Sequence, residues 1–153
     1  LLPMLIDQRS PKNIRVALPD YEVLALQDQS NPGRSSLLVR IYAPDALSAR
    51  ERARVAMQAA KQIQQTELRE DLKQPEYQHV SVVLEALQEK SGVSLPLAKA
   101  EYAPDGLGNS GAIKNAKQKQ WTWNVSSSSI AYDPSNPPTY REFEKSLEPF
   151  QKR

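Results

Sequence analysis

Ser48-Ala49-Arg50-Glu51 limits the fold of this chain more than any other stretch. It is a capping box: the Ser48 hydroxyl can cap a first helical turn while the Glu51 carboxylate bonds back to the Ser48 amide. Behind it, Ala49, Ala53, Ala56, Ala60 and Ile63 recur at helical spacing, flanked by Val55, Met57 and Ala59. The spacing predicts a helix over 48–72, ended by Gln74-Pro75. Its small side chains allow it to lie close on a sheet. Strand-like segments stand before and after it with hairpin-length links, and a doubly wound parallel sheet needs more crossover helices than this. The expected fold class is α+β, a two-layer sandwich of a mostly antiparallel sheet of four or five strands with one long helix, in the order ββαβββα.

The strands are read from alternation and breakers. Tyr21–Asp28 and Ser36–Ala43 flank the turn signal Asn31-Pro32-Gly33 and should form an antiparallel hairpin. Leu37, Val39 and Ile41 share a face that looks buried; Leu38, Arg40 and Tyr42 share one that is only partly so. His79–Leu87 is β-branched and central in character. Leu97–Pro104 follows, and Trp121–Val125, extendable through Ser126–Ser129, is the fifth strand. Alternation puts Trp121, Trp123 and Val125 on one side, where the tryptophans would bury against the helix. Thr139 and Glu142 form a second capping box ahead of a short helix. The expected organisation is an extended N-terminal arm over 1–20, one domain over 21–132, and a Pro-rich tail with a short helix over 133–153.

Composition excludes several chemistries. No cysteine is present, which rules out disulfides, Cys-ligated zinc and thiol catalysis. His79 is the single histidine, so neither a His-rich metal site nor a pair of catalytic histidines can form within one chain. The 20 basic and 18 acidic side chains leave a net charge of +2, too balanced to announce a nucleic-acid partner. The basic residues of the long helix stand among acidic ones and read as a solvated face. The start Leu1-Leu2-Pro3-Met4-Leu5-Ile6 reads as that of a processed or trimmed chain: either the remnant of a signal segment or an arm docked on the domain. It is far too short to span a bilayer.

Gly106-Leu107-Gly108-Asn109-Ser110-Gly111 has the G-x-G-x-x-G spacing of a dinucleotide-binding loop. The context argues against that function. The segment that would be its helix offers only Ala112, Ile113 and Ala116 as apolar residues. The preceding strand carries Lys99 and Glu101, whereas a central parallel strand is apolar on both faces. Pro104-Asp105-Gly106 is itself a turn signal that detaches the glycines from the strand. A polar connecting loop is the simpler reading.

"YEVL" at Tyr21, "APDALSARERARVAMQAAKQI" over Ala43–Ile63, "VSVVLEAL" from Val80 and "LAKAEYAPDG" over Leu97–Gly106 resemble a bacterial family of domains of unknown function. In that family a strand pair leads into a helix with a Leu-Ser start, and a later strand ends in aromatic-Ala-Pro-x-Gly. The resemblance covers residues 21–106. It implies a small α/β domain, often exported or appended to other bacterial modules, and carries over no catalytic residues.

The expected function is that of a non-enzymatic protein-binding or assembly module, possessing no cofactor, metal site or catalytic residues and working outside the cytoplasm, in the periplasm or exported. Its long ends suit folding on a protein partner. One alternative is single-stranded nucleic-acid or phosphate binding through loop 104–120 and the Trp strand after it. The backbone amides near Gly106, Gly108 and Gly111 could form an anion-binding nest, with Lys114, Lys117 and Lys119 adding charge. A small hydrolase is a second alternative, with His79 as general base beside Glu101 or Asp105. If the loop binds an acidic surface or a phosphate, replacing Lys114, Lys117 and Lys119 together by Ala weakens that binding in calorimetry. Stability then changes by less than about 0.5 kcal/mol. Unchanged affinity makes the loop a simple connection.

Overall fold

A computed structural model describes residues 19–65, 77–86, 95–104, 121–133 and 135–150, with 121–124 described by their backbone alone. Alternating burial organises its sheet. In β2 (Ser36–Tyr42), Leu37, Val39 and Ile41 are buried and Arg40 is exposed. β1 (Glu22–Asp28) pairs with it antiparallel, with a bulge between Val23 and Ala25. The turn between them is closed by reciprocal backbone bonds of Asn31 and Arg34, while the Asn31 side chain accepts from the Gly33 amide at 3.1 Å.

The chain then enters α1 (Ala49–Gln65) through the capping box. The Glu51 amide donates to Ser48 Oγ at 3.0 Å, and the Ser48 amide donates to Glu51 Oε1 at 3.3 Å. The buried stripe of α1 is mostly alanine: Ala49, Ala53, Ala56, Ala59 and Ala60, with Val55 and Ile63. It packs on three strands: β3 (His79–Glu85), β4 (Pro96–Ala103) and β5 (Trp121–Ser128). β4 presents Ala98 and Ala100, both fully buried, in register with Leu84 and Val82 of β3. Small residues on both partners bring helix and sheet close. The remainder of the predicted helix, 66–72, lies outside the described residues.

The sheet is six-stranded in the order β1-β2-β3-β4-β5-β6 and mostly antiparallel, as expected for an α+β fold. Two details go beyond the expectation. β2 and β3 are parallel, because α1 carries the chain back to the end of the sheet from which β2 starts. A sixth strand, β6 (Leu147–Pro149), adds itself antiparallel to β5 after α2 (Tyr140–Ser146). The second capping box is formed, with the Glu142 amide donating to Thr139 Oγ1 at 3.1 Å and the Thr139 amide to Glu142 Oε1 at 2.8 Å. Phe143 is buried, the Ser128 and Ser146 hydroxyls hydrogen-bond, and the Phe150 amide donates to the Val125 carbonyl at 2.7 Å. Residues 140–150 are thus tied to the sheet. The β4–β5 register shifts between Lys99 and Glu101. Val125 is buried, and the tryptophan side chains lie outside the described residues.

Tyr77 stands fully buried before β3 and donates its hydroxyl to Asp28 Oδ2 at 3.1 Å. Burial first, and the Asp28 carboxylate second, push its phenol up to about 12. The neutral phenol is favoured in the folded state, so its contribution is complete below the ordinary value of 10.0 and is lost as pH rises toward 12. Tyr77→Phe should lower the unfolding free energy by about 1 kcal/mol at pH 7. It should also flatten the fall of the urea midpoint between pH 10 and 12 relative to the wild type. Ala56→Leu, which forces a branched side chain into the helix–sheet contact, should cost about 1–3 kcal/mol by the same urea measurement.

Candidate functional site

Two polar clusters stand at opposite ends of the sheet. The first lies where β2 and β3 begin. Ser36 and His79 open their strands as direct partners of the parallel pair, which sets their side chains next to each other. Ser36 Oγ is 2.9 Å from His79 Nδ1, and His79 Nε2 is 2.6 Å from Glu101 Oε1 on β4. One ring thus bridges a hydroxyl and a carboxylate, with the donor at each nitrogen set by its tautomer. A clasp surrounds this relay. The Gln78 amide donates to Ser35 Oγ at 2.9 Å, and Gln78 Oε1 accepts from the Ser35 amide at 2.9 Å. Arg34, itself buried, donates to the Gln78 carbonyl.

Serine, histidine and a carboxylate in series are the parts of a nucleophilic hydrolase. The burial opposes that use. Ser36 is 3% exposed and His79 2%, and an attacking oxygen has to come within about 3–3.5 Å of a substrate carbon. Of the two partners foreseen for His79, Glu101 is the one the fold supplies; Asp105 lies outside the described residues. So do Gly106, Gly108, Gly111, Lys114, Lys117 and Lys119. The chain leaves the sheet after Ala103 and re-enters it at Trp121, which pairs with Ala103, so loop 104–120 begins and ends at the relay's end of the sheet. The serine run of β5 forms no comparable array. Ser128 bonds to Ser146, and Ser127 Oγ is sealed with no partner.

The second cluster lies where β2 and β3 end. A groove of about 430 Å³ opens there between Tyr42, Glu85 and Ala86 of the strand ends, Leu97 of β4, Arg52 of α1, and Tyr132 beyond β5. Arg52 is 4% exposed. Its Nε donates to the Ala46 carbonyl at 2.9 Å, and its Nη1 donates to the Ser128 and Ile130 carbonyls at 2.6 and 2.8 Å. One guanidinium thereby joins the β2–α1 loop, the helix and the segment after β5. Burial lowers its pKa, with the neighbouring Glu51 carboxylate opposing. Glu85, in the same wall, is held by a bidentate pair with Arg40 at 2.7 and 2.6 Å, and that pair raises the Arg40 pKa.

By charge pattern alone Arg52 belongs with the solvated charges of the helix. The signal that distinguishes it is positional. Arg50 and Arg54 fall on the exposed side, whereas Arg52 stands three residues after Ala49 and four before Ala56, inside the buried stripe. Among the described residues there is no group of three or more His, Asp and Glu that could hold a metal, and no helix long and apolar enough to cross a membrane.

Comparison with curated proteins gives no match. Among solved structures the chain resembles a DUF487 family protein from Desulfovibrio piger, with a TM-score of 0.54 and 22% identity. The similarity covers 74% of this chain and 64% of that one, so this chain spans under two thirds of its neighbour's length. At that identity the likeness is one of fold. A family model, described as a domain of unknown function (DUF4875), matches residues 16–153 and so takes in the two-strand entry, the helix, the groove wall and the C-terminal strand. The chain belongs to the DUF4875 family of domains.

Proposed function

We propose that this chain is a non-enzymatic binding module that engages another protein, in the envelope of a bacterium. The observation that carries the reading is the sealed state of Ser36 and His79. Among the described residues, the constellation with the parts of a catalyst has its hydroxyl out of substrate's reach. Its hydrogen bonds cross three strands, from β2 to β3 to β4, which suits a structural tie. The groove at the other end is open to ligand, and Leu47 beside it is 70% exposed. A chain without cysteine suits the oxidising side of a membrane, where a free thiol is a liability.

Two measurements test this. Intact-mass analysis after treatment with a serine-reactive fluorophosphonate should show no adduct on Ser36. A photo-crosslinking side chain placed at Leu47 in living cells should give a discrete adduct with one protein, recovered from the envelope fraction. Stoichiometric labelling of Ser36, or ester turnover abolished by His79→Ala, overturns the reading in favour of a hydrolase.

A further inference from the structure

The groove at the ends of β2 and β3 carries an unused charge. A guanidinium has five N–H donors. The one on Nε and the two on Nη1 are spent on the carbonyls of Ala46, Ser128 and Ile130. The two on Nη2 have no acceptor among the described residues. Ser127 Oγ is the sole polar side-chain atom among those residues that is both sealed from solvent and unpartnered, so Nη2 touches solvent, and Arg52 lines the groove. No described carboxylate forms an ion pair with it. Glu85, which also lines the groove, is paired with Arg40, and the Glu51 carboxylate accepts from the Leu47 and Ser48 amides. A cation held rigidly by three carbonyls thus faces an opening walled by Tyr42, Ala86, Leu97 and Tyr132.

We propose that this groove binds a singly charged carboxylate on an apolar tail, the carboxylate on Arg52 Nη2 and the tail along Leu97, Ala86 and Tyr132. Several features favour that chemistry over a phosphate. The groove wall offers one cation without an ion pair, and a dianion needs more. A guanidinium N–H facing a carboxylate makes a charge-assisted bond of the stronger class. A groove of about 430 Å³ falls in the range of about 300–1,000 Å³ typical of ligand sites lined by apolar side chains with a few placed polar groups. Two sources share the chemistry: a small free acid, or the last residue of a partner chain with an apolar side chain. The inference deepens the binding-module reading and rests on it.

The test is an amide-resolved NMR titration of the chain with four probes: hexanoate, hexanamide, and the tripeptide acetyl-Ala-Ala-Leu with a free or an amidated end. Hexanoate should shift the amides of Ala46, Leu47 and Ala131 saturably, and hexanamide should bind about tenfold more weakly or not at all. The free-ended tripeptide binding more tightly than hexanoate identifies a chain end as the ligand; the reverse order identifies a small acid. Equal affinity for acid and amide overturns the proposal, as does the absence of shifts at these residues or their appearance only elsewhere. Because the acid–amide comparison uses unaltered protein, it holds even if Arg52→Lys fails to fold. If that variant folds, it should weaken hexanoate binding while leaving hexanamide unchanged. A failure here, with Ser36 unlabelled and the Leu47 adduct present, removes the groove ligand and leaves the binding module standing.

Discussion

The contact between the alanine stripe of α1 and the small residues of β4 governs this molecule. Helix and sheet approach closely because Ala53, Ala56 and Ala60 on one side meet a sheet whose helix-facing row includes Ala98 and Ala100. Larger side chains are kept to the flanks of that contact: Leu37, Val39 and Ile41 on β2, Val80, Val82 and Leu84 on β3, and Ile63 on the helix. A close-packed interior of this kind tolerates neither added nor missing methylenes well. It also fixes the rotation of α1 about its axis, because one stripe alone is small enough to dock. That rotation points Arg52 toward the segment after β5.

The two polar clusters do comparable work at the two ends of the sheet. At one end, Ser36, His79 and Glu101 join three neighbouring strands through a single imidazole. At the other, the Arg52 guanidinium joins a loop, a helix and the exit from β5. Buried polar groups are costly unless satisfied, and both clusters meet that demand with charge-assisted or reciprocal hydrogen bonds. They differ in completeness. The imidazole has spent both nitrogens; the guanidinium has two donors left over. The asymmetry is what favours the Arg52 end as the place for a ligand.

Most of the architecture is legible from local pattern. Both capping boxes, the buried face of β2, the turn at Asn31-Pro32-Gly33 and the alanine stripe are fixed by residues within a few positions of one another. The features that escape are those set by distant partners. The Ser36–His79 pair spans 43 residues of sequence and exists because β2 and β3 run parallel, a relation that neither strand's own residues encode. β6 is three residues long and contains a proline, so it carries no strand signal and forms because β5 offers a free edge. The register shift between β4 and β5 at Lys99 and Glu101 is likewise invisible in composition. Arg52 is an intermediate case, since its place in the stripe is visible but its donors are committed to carbonyls far along the chain.

The parallel pairing of β2 and β3 also sets the order in which the chain can reach this structure. The β1–β2 hairpin and α1 are local and can form on contacts close in sequence. The central pair cannot, since its first rungs join residues 43 positions apart and the closure entropy of that loop comes before any reward. A preformed α1 shortens the effective loop, because a stiff rod replaces flexible chain, and its capping box therefore acts on folding rate as well as on stability. β4 and β5 extend this pair as antiparallel neighbours, and β6 takes an edge that only exists when β5 is in place. Among the described strands, this parallel pair is the one crossover, and its closure spans more sequence than that of any other neighbouring pair.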